Sequence, residues 1–264
     1  MTNEKNTPLK QQLQQGQVVM GAQLRFGSPA IGELFGFAGY DFLIIDCEHA
    51  AQSPWGVQAQ LQAIGCTPAT AIVRVGQPDP DLIRLYLDIG AQGIVAPMIS
   101  TPEQTEQGAR ACRYHPAGSR SAGTGRAARF GFDPDYFYQS NERVMFIPII
   151  ETVEAVENID KIFAVEGVDS YNMGPVDLSI NLGVPMQLTH PKVIEATETV
   201  LQAAKRAGIP AGCGACGFGG KNITQEDIQQ YIREGYQMLW LSGDEWILSD
   251  ACRDIAEKFN KLTS

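Results

Sequence analysis

The sequence predicts a closed (β/α)8 TIM barrel of the α/β class, a single barrel domain spanning residues 1–264. Three observations carry that prediction. Short apolar runs alternate with segments of helical period about eight times, and strand–helix repetition means a parallel sheet covered by helices. The runs are continuously apolar rather than alternating, so both faces of each strand are buried. Barrels of this kind commonly need about 250 residues, which this chain of 264 supplies. A doubly wound open sheet is the alternative arrangement.

The elements follow in order. Residues 1–17 read as a polar, Gln-rich segment without a signal-peptide core. The strands are Val18–Leu24, Phe42–Asp46, Ala71–Val75, Gly93–Pro97, Val144–Ile150, Val168–Met173, Ile209–Cys213 and Gln237–Leu241. Between them lie helical stretches such as the one from Asp81 to Leu87 and Lys192–Ala207. Asp79-Pro80 and Thr101-Pro102 set a capping residue before a proline at the first helical position, and Thr224 with Asp227 resembles a capping box. Residues 113–136 are rich in Gly, Ser and Arg and lack periodicity, so they read as a long active-site loop region.

Composition narrows the function. Apolar residues at 44% and charged residues at 19% exclude long disorder. A formal charge of −10 argues against nucleic acid and anionic lipid as partners, because either needs a basic face. The longest apolar runs are too short to span a bilayer, so no membrane role is expected. Cys47, Cys66, Cys112, Cys213, Cys216 and Cys252 are scattered without framework spacing, which reads as reduced thiols in a cytoplasmic protein. The Cys213–Cys216 pair lacks the further ligands a zinc site needs and runs into glycines, so it reads as loop cysteines. Residues 214–221 imitate a phosphate-binding loop, but Lys221 is followed by Asn222 rather than Ser or Thr.

In such a barrel the chemistry lies at the C-terminal ends of the strands. The second strand ends in Asp46-Cys47-Glu48-His49, the third carries Arg74, the fifth ends in Glu151, and the sixth leads to Gly174-Pro175-Val176-Asp177. Ionisable groups far apart in sequence thus converge on one rim. Glu151 and Asp177 are the natural metal pair. Two carboxylates about 4 Å apart repel by roughly 4 kcal/mol at an effective dielectric near 20, and a divalent cation removes that cost. Oxygen donors with open positions suit Mg2+ or Mn2+. The competing reading is that each merely caps a helix. Arg74, inside an apolar strand, must meet an anion: either Asp46 or Glu48 in a salt bridge, or a substrate carboxylate or enolate. His49 suits a proton relay whose tautomer a carboxylate fixes, and Asp88 is a candidate for that carboxylate. His115 and His190 read as surface and capping residues.

At these residues the chain resembles the metal-dependent pyruvate aldolases of the HpcH/HpaI family. The resemblance runs from about Gly21 to Asp244, through the stretch from Ala38 to His49, Val73-Arg74-Val75, the stretches from Leu87 to Gly93 and from Arg113 to Arg120, Ile150-Glu151-Thr152, and Gly174 to Ser179. It implies a barrel assembled as a homohexamer, often with the C-terminal helix exchanged between neighbours. It implies a divalent metal (Mg2+, Mn2+ or Co2+) on Glu151 and Asp177, an enolate stabilised by metal and Arg74, and proton handling by His49 paired with Asp88. Asp46, Glu48, Gly174 and Val176 would complete the substrate-binding set, the last two through backbone groups. The implied reaction is reversible cleavage of a 4-hydroxy-2-oxo acid to pyruvate and an aldehyde. Ile149 departs from the family's usual glutamine, Val176 from its usual alanine, and residues 213–220 from its usual loop. A β-hydroxyacyl-CoA lyase of the citrate-lyase-like type and a non-catalytic keto-acid-binding barrel are the alternative readings.

Overall fold

The computed structural model describes residues 7–213 and 223–263. Eight parallel strands close into a barrel in sequence order: β1 (Val19–Leu24), β2 (Phe42–Asp46), β3 (Thr70–Arg74), β4 (Gly93–Ala96), β5 (Met145–Ile150), β6 (Tyr171–Met173), β7 (Ala211–Cys213) and β8 (Tyr236–Gly243). The helices are α1 (Leu9–Gln14), α2 (Pro29–Phe37), α3 (Pro54–Ile64), α4 (Pro80–Asp88), α5 (Pro102–Ala111), α6 (Tyr136–Arg143), α7 (Val153–Glu157), α8 (Ile159–Phe163), α9 (Pro175–Asn181), α10 (Pro191–Ala207), α11 (Gln225–Glu234) and α12 (Asp244–Thr263). The open-sheet alternative is therefore set aside.

Why the helices start where they do is visible in their first residues. Asp79 accepts hydrogen bonds from the backbone N–H groups of Asp81 and Leu82 at 2.8 and 3.0 Å ahead of Pro80. Thr101 forms a full capping box with Gln104, and Thr224 another with Asp227. His190 caps α10, its Nδ1 accepting from the N–H of Lys192. Each satisfies donors that the first helical turn leaves bare.

Burial separates two shells. Leu43, Ile45 and Val73 point outward into the layer beneath the helices, whereas Phe42, Ile44, Ile72, Val95, Ile147, Ile149, Met238 and Trp240 fill the barrel. The N-terminal segment departs from its expected polar character. Leu9 and Leu13 of α1 are buried with the barrel interior, so this helix plugs the end where the strands begin. Two apolar side chains four residues apart share one helix face, which a composition rich in glutamine conceals.

Residues 113–136 also differ from the expected loop. They contain a 3-10 turn at Arg126–Gly131, and Arg113 and Arg120 are buried in ion pairs with Asp169 and Asp88 at 2.7 Å each. They run from α5 to α6, on the way to β5, and a helix-to-strand connection lies at the N-terminal end of a barrel, not at the rim where chemistry occurs. The long α12 buries only Asp244 and leaves Leu248, Ile255, Phe259 and Leu262 exposed along it. Among the described residues no helix is long and apolar enough to cross a membrane.

Candidate active site

The rim is organised around a wholly buried carboxylate. Asp46 ends β2 at 0% exposure, and Arg74 ends β3 beside it in register. Arg74 donates from Nε to Asp46 Oδ1 at 2.9 Å and from Nη2 to Oδ2 at 2.6 Å, a bidentate pair. Gln23 Nε2 and Arg25 Nε also donate to Oδ2, at 2.8 and 3.1 Å. The backbone N–H groups of Glu48 and His49 close on Oδ1, so the chain turns over its own strand end. Burial pushes the Asp46 carboxyl up, but Arg74 and these donors outweigh it and hold the group below its usual range. Expected on the substrate side, Asp46 instead lies beneath Arg74 with both oxygens occupied, where no ligand can reach it.

Arg74 resolves the question its sequence setting raised. It pairs with both candidate acids, its Nη1 lying 3.1 Å from Glu48 Oε2. Two of its five N–H groups are hydrogen-bonded to Asp46 and Nη1 is ion-paired with Glu48, which leaves N–H groups for a ligand anion. Glu48 sits at the rim, its carboxyl raised mainly by burial, and His49 Nε2 stands 3.6 Å from its Oε2. The His49 side chain is 53% exposed, turned towards solvent.

Neither proposed metal carboxylate is a helix cap. Thr152, not Glu151, caps α7, its side chain accepting from the N–H of Ala155. Gly174, not Asp177, occupies the cap position of α9, with Asp177 in the first turn. Glu151 Oε1 accepts from the backbone N–H of Met98 at 2.6 Å. Met98 delivers that N–H from a left-handed backbone, φ 55°, which costs an L side chain about 1–2 kcal/mol. On the other side a Cβ built at Gly174 would stand 2.6 Å from Glu151 Oε2, so only glycine lets the strands close here.

Burial pushes the Glu151 carboxyl up to about 7, and the charges of Glu48 and Asp177 push the same way against the Met98 N–H. Among the described residues no three His, Cys, Asp or Glu side chains converge as a metal cage. Mg2+-like ions do not require one, since one or two carboxylates with water and substrate oxygens suffice. The residues fit such an ion: the charges of Glu48 and Asp177 raise the proton affinity of buried Glu151, and a divalent cation would neutralise that excess of negative charge.

Asp88 is a correction. It ends α4 at the opposite end of the barrel, where its Oδ1 accepts from Arg120 Nη2 at 2.7 Å. Its place immediately before β4 puts it at the strand's beginning, so within one chain it cannot orient His49. Gln23, Arg25 and Met98 were not anticipated. Gln23 and Arg25 could have been found by asking what ends the first strand; the Met98 contact depends on a backbone conformation that composition does not signal. Cys216 and Lys221 lie outside the described residues.

Similarity to known proteins extends over nearly the whole chain. The family model described as HpcH/HpaI aldolase/citrate lyase matches residues 24–245. The chain is 34% identical to a 4-hydroxy-2-oxovalerate aldolase of Rhodococcus jostii (strain RHA1), over 96% of both chains. It is 35% identical to a 2-keto-3-deoxy-L-rhamnonate aldolase of Shigella sonnei (strain Ss046), covering 92% of this chain and 90% of that one. A crystal structure of an HpcH/HpaI aldolase/citrate lyase family protein from Burkholderia cenocepacia J2315 superposes with a TM-score of 0.88 at 34% identity, covering 96% of this chain and 98% of that one.

Proposed function

The chain belongs to the HpcH/HpaI aldolase/citrate lyase family and is a carbon–carbon lyase of the aldolase type, and from that premise we propose that it reversibly cleaves a 4-hydroxy-2-oxo acid to pyruvate and an aldehyde with a divalent cation (Mg2+, Mn2+ or Co2+) on Glu151 and Asp177. The observation that carries the proposal is the buried Glu151 at the end of the fifth strand, fixed by the Met98 N–H and within electrostatic reach of Glu48, Asp177 and Arg74. When bound, the cation would supply a Lewis acid toward the keto oxygen and offset the negative charge that Glu48 and Asp177 impose on Glu151.

The chain's own residues do the rest. Arg74, held rigid by Asp46, offers its remaining N–H groups to charge that grows as the pyruvate methyl loses a proton or the carbon–carbon bond breaks. Stabilisation that increases toward the transition state is what accelerates the step. The first-turn amide of Val176, just beyond Gly174, is a donor for the substrate carboxylate. His49, exposed at the rim and adjacent to Glu48, carries protons between substrate and solvent. A His49–Asp88 pair could form only between two chains.

The exposed apolar residues of α12 support assembly, and we place the chain in a homohexamer with that helix exchanged between neighbours. The free thiols of Cys47, Cys66, Cys112 and Cys252 support a cytoplasmic setting.

The test is exchange of pyruvate methyl protons in deuterated water, followed by NMR. Exchange that requires Mg2+, Mn2+ or Co2+ and disappears in Glu151→Ala is the expected result. A folded, metal-loaded protein that exchanges no protons would overturn the enolate reading and favour a keto-acid-binding barrel.

A further inference from the structure

Strand β6 is three residues long, yet it leads directly into Gly174, which packs on Glu151, and into Asp177. Tyr171 and Met173 point outward into the helix layer, where Tyr171 meets Phe163 at 5.1 Å between ring centroids. By pleat alternation Asn172 is therefore the one β6 side chain facing into the barrel. It is 4% exposed, and its Oδ1 has no hydrogen-bond partner among the described residues.

Its neighbours in register offer it nothing. On one side lies Ile149 of β5, apolar, and on the other Gly212 of β7, without a side chain. A Cβ at Gly212 would strike the Tyr171 carbonyl oxygen at 2.1 Å, so that position stays open beside Asn172. Strand tilt in such barrels carries an interior layer forward by about two residues for every two strands crossed. Asn172 registers through Gly212 with Met238, and the forward step reaches Trp240. The same construction from Ile44 through Ile72 and Gly93 reaches Val95, so Ile44, Val95, Asn172 and Trp240 form one layer. Trp240 is 3% exposed, and its Nε1 also has no hydrogen-bond partner among the described residues. The layer thus holds one bare acceptor and one bare donor, with two aliphatic side chains.

We propose that Asn172 is a positioning residue of the metal site: its Oδ1 and Trp240 Nε1 share one buried water, and this tie holds β6 in place beneath Gly174 and Asp177. A buried amide or indole N–H left unpaired costs about 1–3 kcal/mol, and a water that accepts from Nε1 and donates to Oδ1 satisfies both. Lateral position of a strand with a single inward side chain then depends on that side chain. Glu151 follows the neighbouring β5 and packs on Gly174, and Asp177 lies in the helix that β6 leads into, so a loosened β6 changes their spacing. The inference rests on the metal reading for its consequence but not for the water.

The experiment combines two readouts on the intact protein. Asn172→Leu and Trp240→Phe, alone and together, are titrated with Mn2+ by calorimetry, and the Trp240 indole N–H of the metal-free protein is followed by 1H–15N NMR. Each single variant is expected to bind Mn2+ about 10–100-fold more weakly, the range for residues that orient metal ligands, and the double variant no more weakly than the worse single one. Asn172→Leu also moves the Trp240 indole resonance upfield. An unmoved indole resonance, or Mn2+ affinity in Asn172→Leu within twofold of the parent, would overturn the proposal. If the parent binds no Mn2+, the metal reading fails by itself, and a shifted or unshifted indole still decides whether the pair shares a water. Should Asn172→Leu fail to fold, Trp240→Phe, with its indole N–H removed and an aromatic ring kept, carries the affinity test.

Discussion

Replacing Asp46 by Asn isolates what holds the rim together. The substitution keeps the shape and removes one charge at a site of 0% exposure, beneath a guanidinium bound by two short hydrogen bonds. It leaves Arg74 partly uncompensated, and the new amide group turns a donor toward Gln23, Arg25 or the backbone N–H of Glu48 or His49. Breaking a buried ion pair by removing one partner costs about 3–5 kcal/mol. Glu48 remains beside Arg74, which places the expectation at the lower end, about 3 kcal/mol. For a chain of this size that is a fall of roughly 6 °C in the melting temperature. The pH dependence has a definite sign. Asp46 is held below its ordinary value of 3.8 in the native state, so its stabilisation is full above that value and is lost as pH falls through the lower native pKa. The stability gap between parent and Asp46→Asn should therefore be constant at neutral pH and narrow in acid. Urea unfolding of the parent, Asp46→Asn, Arg74→Met and the double variant, at pH 7 and across the acid range, measures it. Strong non-additivity is expected, because Arg74→Met removes the charge that Asp46→Asn strands. A loss under about 1 kcal/mol, or additive single effects, would refute the view that Asp46 exists to hold Arg74.

Three other outcomes follow from the same geometry. Glu151 has a native pKa raised to about 7, so the metal-free protein should lose stability as pH rises from the ordinary carboxylate range toward 7; Glu151→Gln should flatten that slope, as urea midpoints against pH would show. Met98→Gly should keep Mn2+ binding, because glycine accepts φ 55° freely, whereas Met98→Val should lower stability by about 1–2 kcal/mol and weaken Mn2+ binding in calorimetry. Ile255→Glu with Phe259→Glu should lower the mass of the assembly in light scattering while leaving far-UV circular dichroism unchanged, since both side chains are exposed on one chain.

The barrel was legible because a doubly covered parallel strand has a plain signature, a run such as Phe42–Asp46 with both faces buried. Where the runs misled, a local competitor explains it. Val168–Ser170 looked like strand, but the Asp169 carboxylate accepts the Phe146 N–H and pairs with Lys10 and Arg113, so its segment turns before the ladder begins. Pro210 lacks the N–H that would have extended β7 backward. The rim carboxylates were legible because the strand-end rule applies to each run separately. Asp88 shows the limit of pairing residues without that rule: a residue that precedes a strand belongs to the other end, and a carboxylate sought for His49 had to come from the rim. Met98 and Asn172 were hidden for another reason. One acts through its backbone, and the other is a single polar residue in a three-residue strand, which no periodicity flags.

The α1 plug has a kinetic consequence. Leu9 and Leu13 seal the end of a barrel whose interior is already filled, so everything enters and leaves past the C-terminal rim. On the reading proposed above, the keto-acid fragment held by buried Glu151 and Arg74 lies deeper than its partner, which stands between it and the rim. Release is therefore sequential: the aldehyde departs first and the keto acid last, and in the condensing direction the keto acid must bind first. Product inhibition would report this as competition between the keto-acid product and the substrate, with the aldehyde inhibiting non-competitively.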